Sequence, residues 1–250
     1  MQPMTRQILI LGGTSEAVAL ATALHGRGHR TVTSLAGRTR EPGPVPGTVR
    51  SGGFGGVDGL ARWLRTEPIA AVVDATHPFA ERITANAASA CRTTGTPLIR
   101  LDRPPWRPVE GDDWMTVPDI GSAVDAVPEG AVALLALGRQ HIAPFAASRA
   151  ATFIVRSIEP VDALGTDART QYILSRPSGD PAVEEQFMRR HRVNHVVSRN
   201  SGGTVAYGKI AAARSLGLRV TMIGRRPAPA GLRTVDDWEG AVSWLEQLPV

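Results

Sequence analysis

Short apolar runs alternate along the chain with segments in which apolar residues recur every three or four positions. The apolar runs predict strands at 7–12, 30–36, 47–51, 69–75, 97–101, 114–117, 131–137, 152–157, 171–175, 194–198 and 219–224. The periodic segments predict helices at 15–27, 57–66, 79–94, 119–126, 140–148, 181–192, 204–216 and 236–247. Strands that alternate with helices in this way are typical of βαβ units, whose strands pair in parallel.

A segment rich in proline and charge, at 103–113, interrupts this alternation near the middle of the chain. Such a composition is typical of a surface connection. We therefore expect an α/β protein with two Rossmann-like lobes and mainly parallel sheets, the first over 1–113 and the second over 114–250, with the boundary somewhere in 105–130. We also expect a cleft between the lobes, because ligands are often bound in such a place.

The composition narrows the class of protein. The chain has 250 residues, 42% of them hydrophobic, and no apolar run approaches the roughly 18 residues that a membrane span needs. The N-terminal sequence lacks the layout of a signal peptide. The single cysteine, Cys91, excludes an internal disulfide and a cysteine-based zinc site, and we interpret it as a buried helix residue. We expect a cytoplasmic protein.

The net charge of +5 indicates an anionic partner, which could be nucleic acid, a membrane surface or a small molecule. Nucleic-acid-binding proteins tend to concentrate basic residues on one element, whereas the arginines here are scattered. The densest group, Arg189, Arg190 and Arg192, is expected on a solvated helix face. A small anion is therefore the favoured partner.

A glycine turn joins the first predicted strand to the first predicted helix. It consists of Gly12, Gly13, Thr14, Ser15, Glu16 and Ala17. Glycines at such a turn let the backbone approach a pyrophosphate, and the helix N-terminus adds N–H donors and a positive dipole end. Thr14 and Ala17 replace the second and third glycines of the G-x-G-x-x-G pattern, so an ordinary turn capped by Thr14 or Ser15 is the alternative. The flanking strand and helix favour nucleotide binding.

The residues at the end of the second predicted strand and just after it favour NADP over NAD. An NAD site usually carries an acid about 20 residues after the glycines, whereas this chain has Ser34, Ala36, Gly37, Arg38 and Arg40 in that region. A guanidinium such as that of Arg38 binds a 2′-phosphate, which a carboxylate would repel. The alternative is that both arginines are solvated loop residues.

Two more segments are expected at the carboxyl ends of strands. The glycine-rich turn at 51–56 contains Gly52 and Gly53, which either let backbone approach the cofactor or serve only to form the turn. The strand at 69–75 leads into Ala75, Thr76 and His77. Because open α/β sheets bind ligands at this edge, we expect these three residues to contact cofactor or substrate, with a structural histidine as the alternative.

The chain resembles the precorrin-6A reductase family of cobalamin biosynthesis. The stretches that carry the resemblance are ILILGGTSEA (8–17), AGRT (36–39), SGGFGG (51–56), DATHPFA (74–80), RPPW (103–106), LGR (137–139), SRNSGG (198–203) and YGKIAAARSLGLRV (207–220). DATHPFA is specific to the family, whereas the glycine turn is not. Relatives often have lysine at the position of Arg199, and arginine keeps the charge there but changes the hydrogen-bond geometry.

The resemblance implies an oxidoreductase in which NADPH reduces a ring double bond of precorrin-6A, a polycarboxylate tetrapyrrole, to give precorrin-6B. It implies that the protein itself needs no metal, and it leaves open whether the substrate contains cobalt. The residues expected to bind substrate carboxylates are Arg199, Asn200, Ser201, Gly202, Gly203 and Lys209, with Arg103, Arg139 and Arg176 as weaker candidates. No clear proton donor emerges, and His77, Tyr207, Lys209 and water all stay open. We expect a monomer or a weak oligomer.

Three other functions stay open. The first is an NADP-dependent reductase of a different small anion, the second is a non-catalytic NADP-binding sensor, and the third is nucleic-acid binding, which would depend steeply on salt. The first would oxidise NADPH with another substrate, and the second would bind NADPH without oxidising it.

Overall fold

A computed structural model describes residues 7–37, 43–148, 151–157 and 169–248, except the side chain of Arg139. The chain forms two compact units, Met1–Arg103 with Pro227–Val250, and Pro104–Arg226. Within the described residues, each unit contains a six-stranded sheet, and all of the strand pairs are parallel. The predicted α/β fold with two Rossmann-like sheets is confirmed.

The strands follow the predicted order along the chain, with one addition at the end. They are β1 (Gln7–Leu11), β2 (Arg30–Leu35), β3 (Thr48–Ser51), β4 (Ile69–Asp74), β5 (Leu98–Leu101), β6 (Asp113–Val117), β7 (Val132–Ala136), β8 (Thr152–Ser157), β9 (Thr170–Leu174), β10 (His195–Arg199), β11 (Arg219–Ile223) and β12 (Thr234–Val235). The helices are α1 (Ser15–Gly26), α2 (Gly56–Thr66), α3 (Glu81–Thr94), α4 (Ile120–Asp125), α5 (Ala143–Ala146), α6 (Pro181–Arg190), α7 (Gly208–Ser215) and α8 (Trp238–Glu246).

The two sheets have the same strand order. The first reads β3-β2-β1-β4-β5-β12 and the second reads β9-β8-β7-β10-β11-β6. Both correspond to the doubly wound order 3-2-1-4-5-6, in which a ligand binds where the strand order reverses. That switch point lies between β1 and β4 in the first sheet, and between β7 and β10 in the second.

The predicted lobes, 1–113 and 114–250, need two corrections. The C-terminal segment belongs to the first unit, because β12 pairs with β5 and α8 packs against α1. The segment that begins at Pro104 belongs to the second unit, because it leads into β6, which pairs with β11. The sixth strand of the first sheet, β12, thus follows the whole second unit in the chain, which a division at one boundary cannot represent. The sixth strand of the second sheet, β6, precedes the other five strands of that sheet.

The core of the first unit explains the continuous apolar runs of the sequence. Alternate residues of β1 point to opposite faces: Ile8 and Ile10 pack with α1 and α8, whereas Leu9 and Leu11 pack with α2 and α3. A strand covered on both faces needs apolar residues throughout. Cys91 is buried in α3 as expected, and burial, together with the charge of Asp74, raises the pKa of its thiol to about 12.

Some predicted helices are shorter in the structure. The helix predicted at 140–148 is a 3-10 turn, Arg139–His141, followed by α5, because Pro144 lacks an N–H and stands in the first helical turn. The helix predicted at 204–216 starts at Gly208, after a turn closed by the Tyr207 N–H on the Thr204 carbonyl oxygen at 3.1 Å. Over the described ranges, no helix has the length and apolarity that a membrane span requires.

Candidate functional site

The turn that joins β1 to α1 lies at the switch point of the first sheet. Gly12 N donates to Ser34 O at 2.9 Å, which fixes the turn beside β2. Gly13 has a φ of +112°, and a Cβ at this position would meet no heavy atom within 4 Å, so the backbone is open here. The helix starts at Ser15, and the N–H groups of a first helical turn have no partner within the helix. The turn therefore has the features of an anion-binding site.

Thr14 connects the two strands at the switch point. Its Oγ1 accepts a hydrogen bond from Ala17 N at 3.1 Å, and it donates to Ala75 O, after β4, at 2.8 Å. Thr14 is thus the helix cap that was considered as an alternative, and its only hydroxyl proton is used on the loop after β4. The cap and the open glycine turn occur together, so one interpretation does not exclude the other.

Glu16 adds a negative charge beside this turn, and Arg103 compensates it. The Arg103 Nη1 to Glu16 Oε2 distance is 2.7 Å, and Ser15 Oγ donates to the same oxygen at 3.1 Å. Partial burial raises the pKa of Glu16, but its own backbone N–H, Arg103 and Ser15 outweigh burial and leave the pKa below its usual value. Arg103, a weaker substrate candidate, is therefore an ion-pair partner within the first unit.

The loop after β4 rests on a buried polar network. Asp74 Oδ1 accepts hydrogen bonds from Thr76 N at 3.1 Å and from Thr76 Oγ1 at 2.6 Å. Its Oδ2 accepts from Thr84 Oγ1 at 2.6 Å and from Arg100 Nη1 at 3.4 Å. Arg100 Nη2 donates to Pro78 O at 3.2 Å. Asp74, Thr84 and Arg100 are all buried, so the network fixes both ends of the 75–80 loop from inside the protein.

His77 lies on this loop and is half-buried. Its Nδ1 accepts a hydrogen bond from Phe79 N at 3.2 Å, and its ring centroid is 5.9 Å from that of Phe79. A neutral imidazole that accepts at Nδ1 carries its proton on Nε2. The structure therefore leaves His77 as a candidate proton donor through Nε2 and gives Nδ1 a structural contact.

A guanidinium that sequence reasoning missed lies at the carboxyl ends of β2 and β3. Arg50 Nη1 donates to Ser34 Oγ at 2.8 Å and to Gly52 O at 3.1 Å, and Nη2 donates to Gly53 O at 3.3 Å. Ala36 and Gly37 are exposed nearby in the sequence, whereas Arg38 and Arg40 lie outside the described residues. The signal that could have identified Arg50 is its place one residue before the end of the predicted third strand.

In the second sheet, the expected substrate residues follow β10 at the switch point. Arg199 ends β10, and its Nη2 lies 3.8 Å from the position that a Cβ on Gly138 would occupy, after β7. The LGR and SRNSGG stretches thus meet at one edge of the sheet. The side chain of Arg139 lies outside the described residues, and Arg176 is exposed after β9.

Asn200 was expected to contact substrate, but its side chain binds backbone of the same unit. Its Oδ1 accepts from Trp106 N at 2.8 Å and its Nδ2 donates to Trp106 O at 2.9 Å. The indole Nε1 of Trp106 donates to Gly203 O at 2.7 Å. Gly202 has a φ of +65°, and a Cβ there would overlap with Pro104 O, while Ser201 is buried. These residues hold the RPPW segment against the 200–203 loop, so Asn200 positions that loop.

Tyr207 and Lys209 lie around the same tryptophan. Lys209 Nζ is 4.9 Å from the Trp106 ring centroid and donates to Ala206 O at 2.7 Å. The Tyr207 hydroxyl is hydrogen-bonded to Arg214, whose Nε binds Asp112 Oδ1 at 2.9 Å. The structure brings these two proton-donor candidates together in the second unit, whereas His77 belongs to the first. Among the described residues, no group of three His, Cys, Asp or Glu side chains is placed to hold a metal.

Replacing Asn200 by Ala should lower the free energy of unfolding by about 1–3 kcal/mol, because the N–H and C=O of Trp106 lose their partner. Thermal unfolding followed by circular dichroism measures this loss. Asn86→Ala in α3 is the control, since the described chain gives that side chain no hydrogen bond. Equal melting temperatures for the two variants would contradict the positioning role.

The comparisons with known proteins agree with the motifs. The profile of the family described as precorrin-6x reductase CbiJ/CobK matches residues 7–246. A precorrin-6A reductase from Rhodococcus erythropolis is 46% identical over 247 residues, which cover 98% of this chain and 99% of that protein. A cobalt-precorrin-6A reductase from Methanothermobacter thermautotrophicus is 27% identical over 248 residues, which cover 87% of this chain and 76% of that protein.

Similarity extends to three-dimensional structure. A solved structure titled CobK precorrin-6A reductase superposes with a TM-score of 0.91 at 39% identity, covering 96% of each chain. The resemblance predicted from the sequence stretches is thereby confirmed over nearly the whole chain. This protein belongs to the precorrin-6x reductase family, CbiJ/CobK.

Proposed function

We propose that this protein is an NADPH-dependent reductase that converts precorrin-6A to precorrin-6B in cobalamin biosynthesis. Family membership supplies the reaction. The observation that carries the cofactor part is the switch point of the first sheet, where the open turn at Gly13, the first turn of α1 and the braced 75–80 loop meet. The proposal includes a cytoplasmic location, with which the free thiol of Cys91 is compatible.

The residues at this switch point fit a dinucleotide. Gly13 and Ser15 would bind the diphosphate, because the turn offers open backbone and the N-terminus of α1. The adenosine half would lie over β2 and β3, where Ser34 stands one residue before the end of β2 and Gly37 follows that strand. The nicotinamide half would lie over β4, beside Ala75, Thr76 and His77, since the two halves of such a sheet bind the two nucleotides. Glu16 would not oppose the diphosphate strongly, because Arg103 compensates its charge.

The chain's own groups bind and orient the reactants. NADPH, when bound, supplies the hydride, and the carbon next to the reduced one needs a proton. The Asp74 network holds the 75–80 loop in one conformation, which fixes the position of His77 and its Nε2. His77, Tyr207, Lys209 and water remain the candidate proton sources.

The second unit suits a polycarboxylate. Arg199 can bind a carboxylate through two parallel hydrogen bonds, and Lys209 adds a second cation near the same loop. We propose the cobalt-free substrate. Precorrin-6A reductases from Rhodococcus erythropolis and Sinorhizobium sp are 46% and 44% identical to this chain, whereas the cobalt-precorrin-6A reductase from Synechocystis sp. is 26% identical.

The absorbance of NADPH tests this proposal directly. Adding precorrin-6A to the protein with NADPH should cause loss of that absorbance, and mass spectrometry should show a product that has gained two hydrogens. Parallel reactions without substrate, and with NADH in place of NADPH, should be slow. Nucleotide binding with no oxidation would favour the sensor, and oxidation only with other small anions would favour a different reductase.

A further inference from the structure

We propose that Arg50, in β3, makes the protein selective for NADPH by binding the 2′-phosphate together with Ser34. This inference rests on the proposed use of NADPH and names the residue that would distinguish it from NADH. The arginines predicted for the 2′-phosphate, Arg38 and Arg40, follow the second strand, so Arg50 was not among the predicted residues.

Strand register places Arg50 where the ribose is recognised. Ser34 and Arg50 are paired in the parallel register of β2 and β3, and each stands next to the last residue of its strand. In a doubly wound sheet of this order, the group that reads the adenosine ribose lies at the carboxyl end of the second strand. The two side chains therefore occupy the region of the 2′-substituent.

The guanidinium of Arg50 is held in a fixed orientation. Three hydrogen bonds join its Nη atoms to Ser34 Oγ, Gly52 O and Gly53 O. Its central carbon lies 3.8 Å from the ring centroid of Phe54, and the Phe54 and Trp63 rings are 5.4 Å apart. A planar cation that is already oriented loses little conformational entropy when an anion binds.

Among the described residues, no acid compensates the positive charge of Arg50. Over the described ranges, its partners are one hydroxyl, two carbonyl oxygens and aromatic rings, with no carboxylate among them. Burial lowers its pKa, yet a guanidinium stays charged near neutral pH. An uncompensated, partly desolvated cation at this position favours a phosphate over the hydroxyl group of NAD.

Ser34 can complete the contact. It is 7% exposed and accepts a hydrogen bond from Arg50, and no described residue accepts its own hydroxyl proton. Ser34 can donate that proton to a phosphate oxygen, which the positive charge of Arg50 also attracts. Arg50 and Ser34 would then act as one unit, in which the arginine orients the serine and attracts the anion.

The alternative is that Arg50 only stabilises the 51–56 turn. Calorimetric titration with NADP⁺ and NAD⁺ distinguishes the two roles without relying on turnover. In Arg50→Met we expect NADP⁺ affinity to fall by about 10- to 100-fold, the range for a charged hydrogen bond, while NAD⁺ affinity is unchanged. Arg50→Lys should recover part of the preference for NADP⁺ over NAD⁺, because lysine restores the positive charge but not the planar set of N–H donors of a guanidinium. Arg62→Met, on the exposed face of α2, is the matched control.

The outcomes separate the two proposals. Equal losses for NADP⁺ and NAD⁺ in Arg50→Met would show a purely structural role and overturn this inference alone. An unaltered protein that binds neither nucleotide, or prefers NAD⁺, would overturn the proposed cofactor as well. If Arg50→Met does not fold, Ser34→Ala provides the same test, since it removes one contact to the phosphate and is expected to lower the NADP⁺ to NAD⁺ preference.

Discussion

Replacing Asp74 by Ala should lower the free energy of unfolding by about 3–5 kcal/mol, because it leaves the buried Arg100 cation without its closest acid. The side chains of Asp74 and Arg100 are 1% and 5% exposed. The variant also removes the acceptor of the Thr76 and Thr84 hydroxyls. Asp102 Oδ1, 3.6 Å from Arg100 Nη2, stays in place and moves the expected loss toward the lower end of the range.

A surface ion pair provides the control for Asp74→Ala. The Arg219 Nε to Asp113 Oδ2 distance is 3.0 Å, but the side chains of Asp113 and Arg219 are 54% and 53% exposed. Asp113→Ala should therefore cost at most about 1 kcal/mol. Chemical unfolding followed by circular dichroism measures both variants. Similar losses for the two variants would mean that the Asp74 network does not stabilise the loop as described.

Replacing Ser15 by Asp should weaken NADPH binding by about 1,000-fold while leaving the fold intact. A carboxylate about 4 Å from a phosphate repels it by about 4 kcal/mol at an effective dielectric constant of 20, and each 1.4 kcal/mol is tenfold in affinity. For the helix alone the same carboxylate is favourable by about 0.3–1 kcal/mol, because it stands at the positive end of the dipole. The affinity for NADPH should thus fall, while the free energy of unfolding should not fall with it.

Fluorescence titration with NADPH and thermal unfolding measure these two effects of Ser15→Asp. Val183→Asp is a matched control, because it adds the same charge to the first turn of α6, where Val183 is 50% exposed. It should leave NADPH affinity unchanged. Unaltered affinity in Ser15→Asp would place the diphosphate away from the start of α1.

The local pattern of apolar residues was sufficient to predict the helices and strands that are long and apolar. The run 69–75 became β4, and the face formed by Ala17, Leu20, Ala21 and Leu24 is buried in α1 as its spacing predicts. The strand β12 was missed because two residues carry no periodicity. Its pairing with β5 joins distant parts of the chain, so the place of β12 in the first sheet could not be deduced from composition or spacing.

The candidate functional residues likewise divide into those that local sequence signals identify and those that only the fold brings together. The sequence identified the turn at Gly13 and the DATHPFA stretch, because glycine, proline and strand ends are local signals. It could not show that Asn200 would bind the backbone of Trp106, since the two are 94 positions apart. Arg50 and Arg100 were overlooked for a related reason: their partners, Ser34 and Asp74, are fixed only by strand register. Partners are set by topology, whereas residue types are visible in the sequence.

Both sheets have the same strand order, and each has a switch point at which a nucleotide could bind. A crystal structure with NADP⁺ therefore tests most directly the claim that the cofactor binds to the first sheet. We expect density for the diphosphate against the backbone of Gly13 and Ser15, between the ends of β1 and β4, with the 2′-phosphate near the end of β2. Density for the nucleotide at the ends of β7 and β10 would assign the cofactor to the second sheet and contradict the account.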